Sequence, residues 1–143
     1  MSSTPASLFL RIAAGIYDLF PLVALWMVTA GVALLAVHGA VDLAHPSLGW
    51  RVGLRVALFA VTAAYFVISW ARGGQTIGMR AWRLRIVDEE GHAIGWARAL
   101  LRFVVACASL LALGIGFLWC LYDRRRRGWH DLAARSVLVQ LGK

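Results

Sequence analysis

The sequence predicts an all-α membrane protein with two transmembrane helices, a third apolar segment that re-enters or spans, and a small cytoplasmic β-ribbon. Three observations carry this. Of 143 residues, 61% are hydrophobic and the mean hydropathy is +0.72, whereas a soluble domain is roughly 45–50% apolar. Three long apolar runs divide the chain. Arginines collect between and beside those runs, at 72–85, at Arg98 and Arg102, and at Arg124–Arg127, as they do in loops that face anionic cytoplasmic lipid.

The first run, Ile12–Val37, holds one charge, Asp18, and Arg11 stands just before it. Its 26 residues reach about 39 Å as a helix, enough for a core of ~30 Å. The predicted span is Leu8–Val37, retained and not a cleaved signal, because the run is too long for a signal peptide. Pro21, three residues after Asp18, is expected to kink the helix and free carbonyls near the acid. His38–Leu48 reads as a polar turn, and Trp50 as an interfacial aromatic. The second span reads as Leu54–Trp70. Arg51 and Arg55 at its start read as snorkelling anchors, with Arg55 as an inward counter-ion the alternative.

The loop at 71–94 is the longest polar stretch. Gly73-Gly74 break the helix, Trp82–Val87 alternates as a strand, and Asp88–Gly91 closes it as a turn. A second strand signal lies at Ser136–Leu141. Leu84–Val87 is expected to pair with Val137–Val139. The third segment, 95–122, contains the apolar run Phe103–Tyr122. A full crossing would put Arg124–Arg127 opposite the other arginines and separate the two strands. A re-entrant helix–break–helix, broken at Gly114-Ile115-Gly116, is therefore favoured over a third crossing. The tail is 123–143, and residues 1–143 form a single membrane domain.

Net charge +8 and a pI near 11 would suggest nucleic acid, but the bilayer already accounts for the arginines. The expected partners are membrane lipids, with anionic headgroups at the arginine clusters, and a homo-oligomer or membrane protein; no nucleic acid is expected. Cys107 and Cys120 lie in apolar sequence with no metal or redox spacing. His92 and His130 have no metal spacing, and His130-Asp131 has no nucleophile in frame. No cofactor, metal or catalytic residue is expected, and the chain reads as no enzyme.

The charged residues near the runs are the candidates. A carboxylate in the hydrocarbon costs several kcal/mol unless paired, protonated or wetted. Arg11 and Asp18 share a helix face about 10 Å apart, too far to pair. Asp18 is expected to meet Arg102, and Arg11 to meet Asp123 or Asp131. These groups are either structural ion pairs or a proton or cation site. Thr62, Tyr65 and Ser69 share a face and either make ordinary interhelical bonds or line a polar cavity at Asp18.

Four segments in order resemble the RDD family of small bacterial membrane proteins, named for one arginine and two aspartates. They are Arg11–Asp18; Gly74–Arg80 with Leu84–Asp88; Ala99–Arg102; and Tyr122-Asp123 with Trp129–Val137. The loop carries Gly74, Thr76, Gly78 and Arg80 of the family's Gly-x-Thr-x-Gly-Lys-Arg pattern, with Met79 where lysine is common. Trp129 stands where leucine is common, and Ala134-Arg135-Ser136 replaces Ala-Gly-Thr. The resemblance implies Arg11, Asp18 and Asp131 as the three named positions, with Asp123 the less favoured third. It implies a multi-pass protein of the bacterial inner membrane. The function expected is oligomeric transport of a cation, proton or small solute, with a non-catalytic accessory or regulatory role docking a partner protein as the alternative.

Overall fold

The computed structural model describes residues 4–37, 42 and 44–142. It is mostly helical, with one small antiparallel sheet. Strand β1 is Thr4–Pro5, and helix α1 is Leu8–Ala36. Ser7 caps α1, its hydroxyl accepting from Leu10 N at 3.4 Å. α1 runs through Pro21, and its buried residues are Ala14, Asp18 and Leu22. Their spacing of four makes one stripe toward the protein. The outer surface is apolar: Phe20, Met27 and Leu35 are all exposed.

Helix α2 is Leu48–Gly73. It begins earlier than the expected Leu54 because Ser47 caps it, accepting from Trp50 N at 3.2 Å. Arg51 and Arg55 therefore lie within its first turns, and both are exposed; Arg55 is not an inward counter-ion. α1 and α2 are each long and apolar enough to cross a membrane. Of the expected turn between them, His38–Val41 and Leu43 lie outside the described residues. Asp42 accepts from the N–H of Ala44 and of His45 at 2.9 and 3.3 Å, an ordinary Asx turn.

α2 stops at Gly73, and Gly74 caps it in the left-handed region, φ +66°. The 71–94 loop then contains a short helix the pattern did not signal, α3 at Ile77–Ala81, capped by Thr76. Strand β2 follows at Leu84–Asp88, with Leu84 and Ile86 buried and Arg85 exposed. Helix α4 is Trp96–Leu111, and α5 is Ile115–Leu118, continued by a 3₁₀ turn to Leu121. The third apolar run is thus two helical pieces, bent by 111° at a short break. Leu113 and Gly114 at the break have φ of +56° and +78°. α6 is Trp129–Ala133, and β3 is Ser136–Gln140.

The expected ribbon is present, with Arg85 opposite Val139, Ile86 opposite Leu138 and Val87 opposite Val137. It has a third member: β1 pairs β3 through Thr4↔Gln140 and Pro5↔Val139, giving the order β1-β3-β2. Two residues before a helix cap carry no periodic signal, so β1 was not foreseeable. The buried core, including Ala6, Trp70, Leu84, Ile86, Phe103 and Leu138, sits between the sheet and the adjoining ends of α1, α2 and α4. The chain leaves this sheet after β2 for the third run and returns to it at β3.

Candidate functional site: two buried polar clasps

The first clasp is centred on Asp131, which is fully buried in α6. Its Oδ2 accepts from Arg11 Nη1 at 2.7 Å and from Gly128 N at 3.0 Å. Its Oδ1 accepts from Arg102 Nη1. The same Arg102 nitrogen donates to Ser136 Oγ at 2.8 Å, and its guanidinium lies over the Trp70 ring, 5.1 Å from the centroid. Arg11 Nη2 donates to the Arg126 carbonyl at 2.7 Å. One carboxylate thus joins α1, α4 and α6, with the start of β3 attached through Ser136. Charge-assisted bonds of this kind are the strong ones.

Electrostatics follow from the geometry. Burial alone would push the Asp131 carboxyl up, but Arg102 and Arg11 outweigh it and hold it well below the usual carboxylate range. His130, also buried, is pushed down to about 3, first by burial and then by Arg102. It is therefore neutral at physiological pH. Its Nδ1 has no partner among the described residues, and its ring packs on Phe117 at 4.7 Å.

The second clasp is centred on Asp18, 2% exposed. Its Oδ1 accepts from Tyr65 Oη at 2.6 Å and from Gly78 N at 2.8 Å. Its Oδ2 accepts from Thr76 Oγ1 at 2.6 Å. Thr76 Oγ1 also accepts from Met79 N, the cap of α3. Gly78 is required by close approach: a Cβ there would stand 2.1 Å from the Ala14 carbonyl oxygen. Asp18 thus fastens the motif loop to α1 and α2 through three neutral donors.

The expected Asp18–Arg102 pair is not formed. Arg102 is directed to Asp131, and among the described residues no cation lies in salt-bridge reach of Asp18. The motif loop folds back as α3 and reaches the acid with an N–H and a hydroxyl instead. Of the two partners expected for Arg11, Asp131 is the one observed. Asp123 binds Arg127 locally, Nε to Oδ2 at 3.0 Å, and hydrogen bonds from Arg127 hold its carboxyl low.

Of the expected polar face, Tyr65 reaches Asp18 while Thr62 does not. Thr62 Oγ1 donates to the Leu58 carbonyl and accepts from Trp26 Nε1 at 2.9 Å. Ser69 is half-buried and is not part of the clasp. In the motif loop, Thr76 and Gly78 bind Asp18 directly, and Gly74 O accepts from Ile86 N at 2.7 Å. Arg80 is exposed, and Met79 is buried in the core, where a methionine packs well. Arg98 lies 3.9 Å from Asp88. Asp88, Glu90 and His92 cluster at the turn after β2. Asp88 Oδ1 there accepts from the N–H groups of Glu90 and His92, a turn that needs no ion to account for it.

Sequence reasoning missed Ser136, Gly128 and Trp70 as parts of the Asp131 clasp. The hydroxyl in the closing motif was the available signal for Ser136; nothing in the sequence marked Trp70.

The RDD family model matches residues 5–135, a stretch that contains both clasps except Ser136. The chain belongs to the RDD family. No curated protein and no solved structure matches it. Arg11, Asp18 and Asp131, the three positions that the resemblance implies for the RDD name, all lie within the matched stretch. With its apolar helices, this RDD chain is a membrane protein.

Proposed function

We propose that the chain is a non-catalytic accessory subunit of the bacterial inner membrane that docks a partner protein through a rigid platform on the cytoplasmic side. In this reading α1 and α2 are the only two crossings. The third run dips and returns, since a full crossing would separate β2 from β3, which pair along their whole length. Broken backbone at that depth has to be covered by protein; Leu111 and Leu113 at the break are exposed in this chain alone, which leaves that cover to a partner.

One observation carries the functional reading: each residue of the Arg-Asp-Asp trio is consumed in a closed internal shell. Two helices enclose no pathway, and two clefts among the described residues lie between Glu89 and the 119–127 segment and at the β1–β3 edge. The outer face of the platform is basic, with Arg83, Arg85 and Arg135 exposed, which suits a partner of acidic surface.

A second reading has its own support. Asp18 is a buried acid within a helix long and apolar enough to cross a membrane, with no cation in salt-bridge reach among the described residues, and acids so placed mark ion pathways. An oligomer could then share a transport path across Asp18. The test is Asp18→Asn, read by melting, oligomeric state in mild detergent and ion flux in proteoliposomes. The accessory reading expects no sodium- or proton-driven flux from the wild type and a less stable variant. Wild-type flux abolished by a well-folded Asp18→Asn overturns it. External labelling of a cysteine at Gly91 or Lys143 would overturn the topology.

A further inference from the structure

The run Arg124–Arg127 is divided by parity. Arg125 and Arg127 reach Glu89 at 3.3 and 3.7 Å, and Arg127 also binds Asp123. Arg124 and Arg126 are exposed, and among the described residues neither has a carboxylate in salt-bridge reach. Both line a cleft of about 440 Å³ with Thr4, Ser7, Leu10 and Gln140. Among the described residues no acidic side chain lines it. Its walls are the start of α1, the edge formed by β1 and β3, and the arginine turn.

The arginine turn is held in place. Arg126 has φ +54°, a conformation a non-glycine residue adopts at a cost. The Arg11 guanidinium grips its carbonyl at 2.7 Å. The Asp131 clasp therefore fixes the backbone that carries the two spare guanidiniums. Positioned cationic donors beside hydroxyls and an amide suit a phosphate.

We infer that this cleft is a binding site for the phosphate headgroup of an anionic glycerophospholipid. Lipid is the source the position favours. The cleft lies at the foot of α1, where its apolar surface begins, and Leu10 is in its wall. When α1 spans with this end at the anionic leaflet, the headgroup layer lies at this level. The inference rests on that reading of α1, and not on partner docking.

The test uses the full chain in nonionic detergent at roughly 0.15 M salt, where diffuse attraction is damped. The probes are dioctanoyl phosphatidylglycerol, dioctanoyl phosphatidylcholine and inorganic phosphate, titrated by calorimetry. The wild type should bind the glycerol lipid saturably and the choline lipid about tenfold more weakly or worse. R124Q/R126Q should lose about tenfold or more toward the glycerol lipid, since charge-assisted bonds are removed. R83Q/R85Q carries the same charge change outside the cleft and should lose less than about twofold.

Equal losses in both double variants would mean diffuse electrostatics and overturn the site. Equal binding of both lipids would overturn it too. Inorganic phosphate binding as tightly as the glycerol lipid, and lost in R124Q/R126Q, would make this a free-phosphate site and overturn the lipid assignment. If R124Q/R126Q melts early, R124K/R126K keeps the test open: it should retain charge but bind several-fold more weakly, because lysine lacks the bidentate fork; unchanged binding would overturn the site. The detergent assay needs neither a partner nor a leaflet, so its failure is separable from failure of the accessory reading or of the topology.

Discussion

Gly78→Ala tests whether the motif loop is seated on α1 as the Asp18 clasp requires. The new Cβ would stand 2.1 Å from the Ala14 carbonyl oxygen and 2.9 Å from Asp18 Cγ. The first of these is helix backbone and cannot rotate aside. α3 has to withdraw by about 1 Å to reach ordinary contact, which takes the 2.8 Å Gly78–Asp18 bond beyond hydrogen-bond range. Losing a bond to a charged acceptor costs about 1.5–3 kcal/mol. Overpacking adds about 1–3 kcal/mol. A loss of about 2–5 kcal/mol is expected in a detergent melt, with faster amide exchange over residues 76–81. Gly15→Ala is the control, since a Cβ there meets nothing within 4 Å; it should gain up to about 1 kcal/mol from helix propensity. A Gly78→Ala melt within about 0.5 kcal/mol of wild type would refute the close seating of α3.

Two further outcomes follow from the Asp131 clasp. Arg102→Met or Asp131→Leu alone should each cost about 3–5 kcal/mol, and the double variant less than their sum; additive losses in the melting cycle would mean the pair does not act together. Asp131→Leu should be the worse single change, because it strands Arg11 as well. For His130, the folded state holds the neutral ring down to a pH of about 3 while the unfolded chain takes a proton near 6.5. Stability should therefore be full above 6.5 and fall by about 1.4 kcal/mol per pH unit below it. Melting from pH 7 to 4 in wild type and His130→Gln reads this, and an unchanged slope in the variant would assign the acid sensitivity elsewhere.

What was legible in the sequence followed period and composition. The apolar runs gave α1 and α2, alternation gave β2 and β3, and the glycine pair gave the end of α2. The break in the third run was legible in Gly114, which the structure places at the bend. The partners of Asp18 were not. A search for its counter-charge runs over arginines, whereas the structure uses a tyrosine, a threonine and a backbone N–H. Backbone donors carry no side-chain signature, and α3, which supplies this one, has five residues, too few for a helical period. Arg11 to Asp131 was legible as one of two options, because both acids lie in the closing segment; the choice depends on α6, another five-residue helix.

The placement of these charges has a physical reason in the solvent. Between apolar helices in lipid there is little hydrophobic drive to associate, and away from the arginines at the ends of α2 the exposed surfaces of α1 and α2 are largely lipid-like side chains. The order of the assembly then falls to polar contacts at the end where the chain segments meet. Arg11 and Asp131 are 120 positions apart, and joining them fixes α1 to the closing helix across nearly the whole sequence. The charge balance is equally constrained. Two guanidiniums meet one carboxylate, and the surplus positive charge is met by the Arg126 carbonyl and the Trp70 ring face. His130, 5% exposed beside them, stays neutral first because it is buried and then because Arg102 opposes a further positive charge. Introducing an ammonium, as His130→Lys would, should open the clasp where His130→Gln does not. A His130→Lys protein that melts with the His130→Gln variant would show that the cluster tolerates the extra charge and that the clasp is looser than its bond lengths imply.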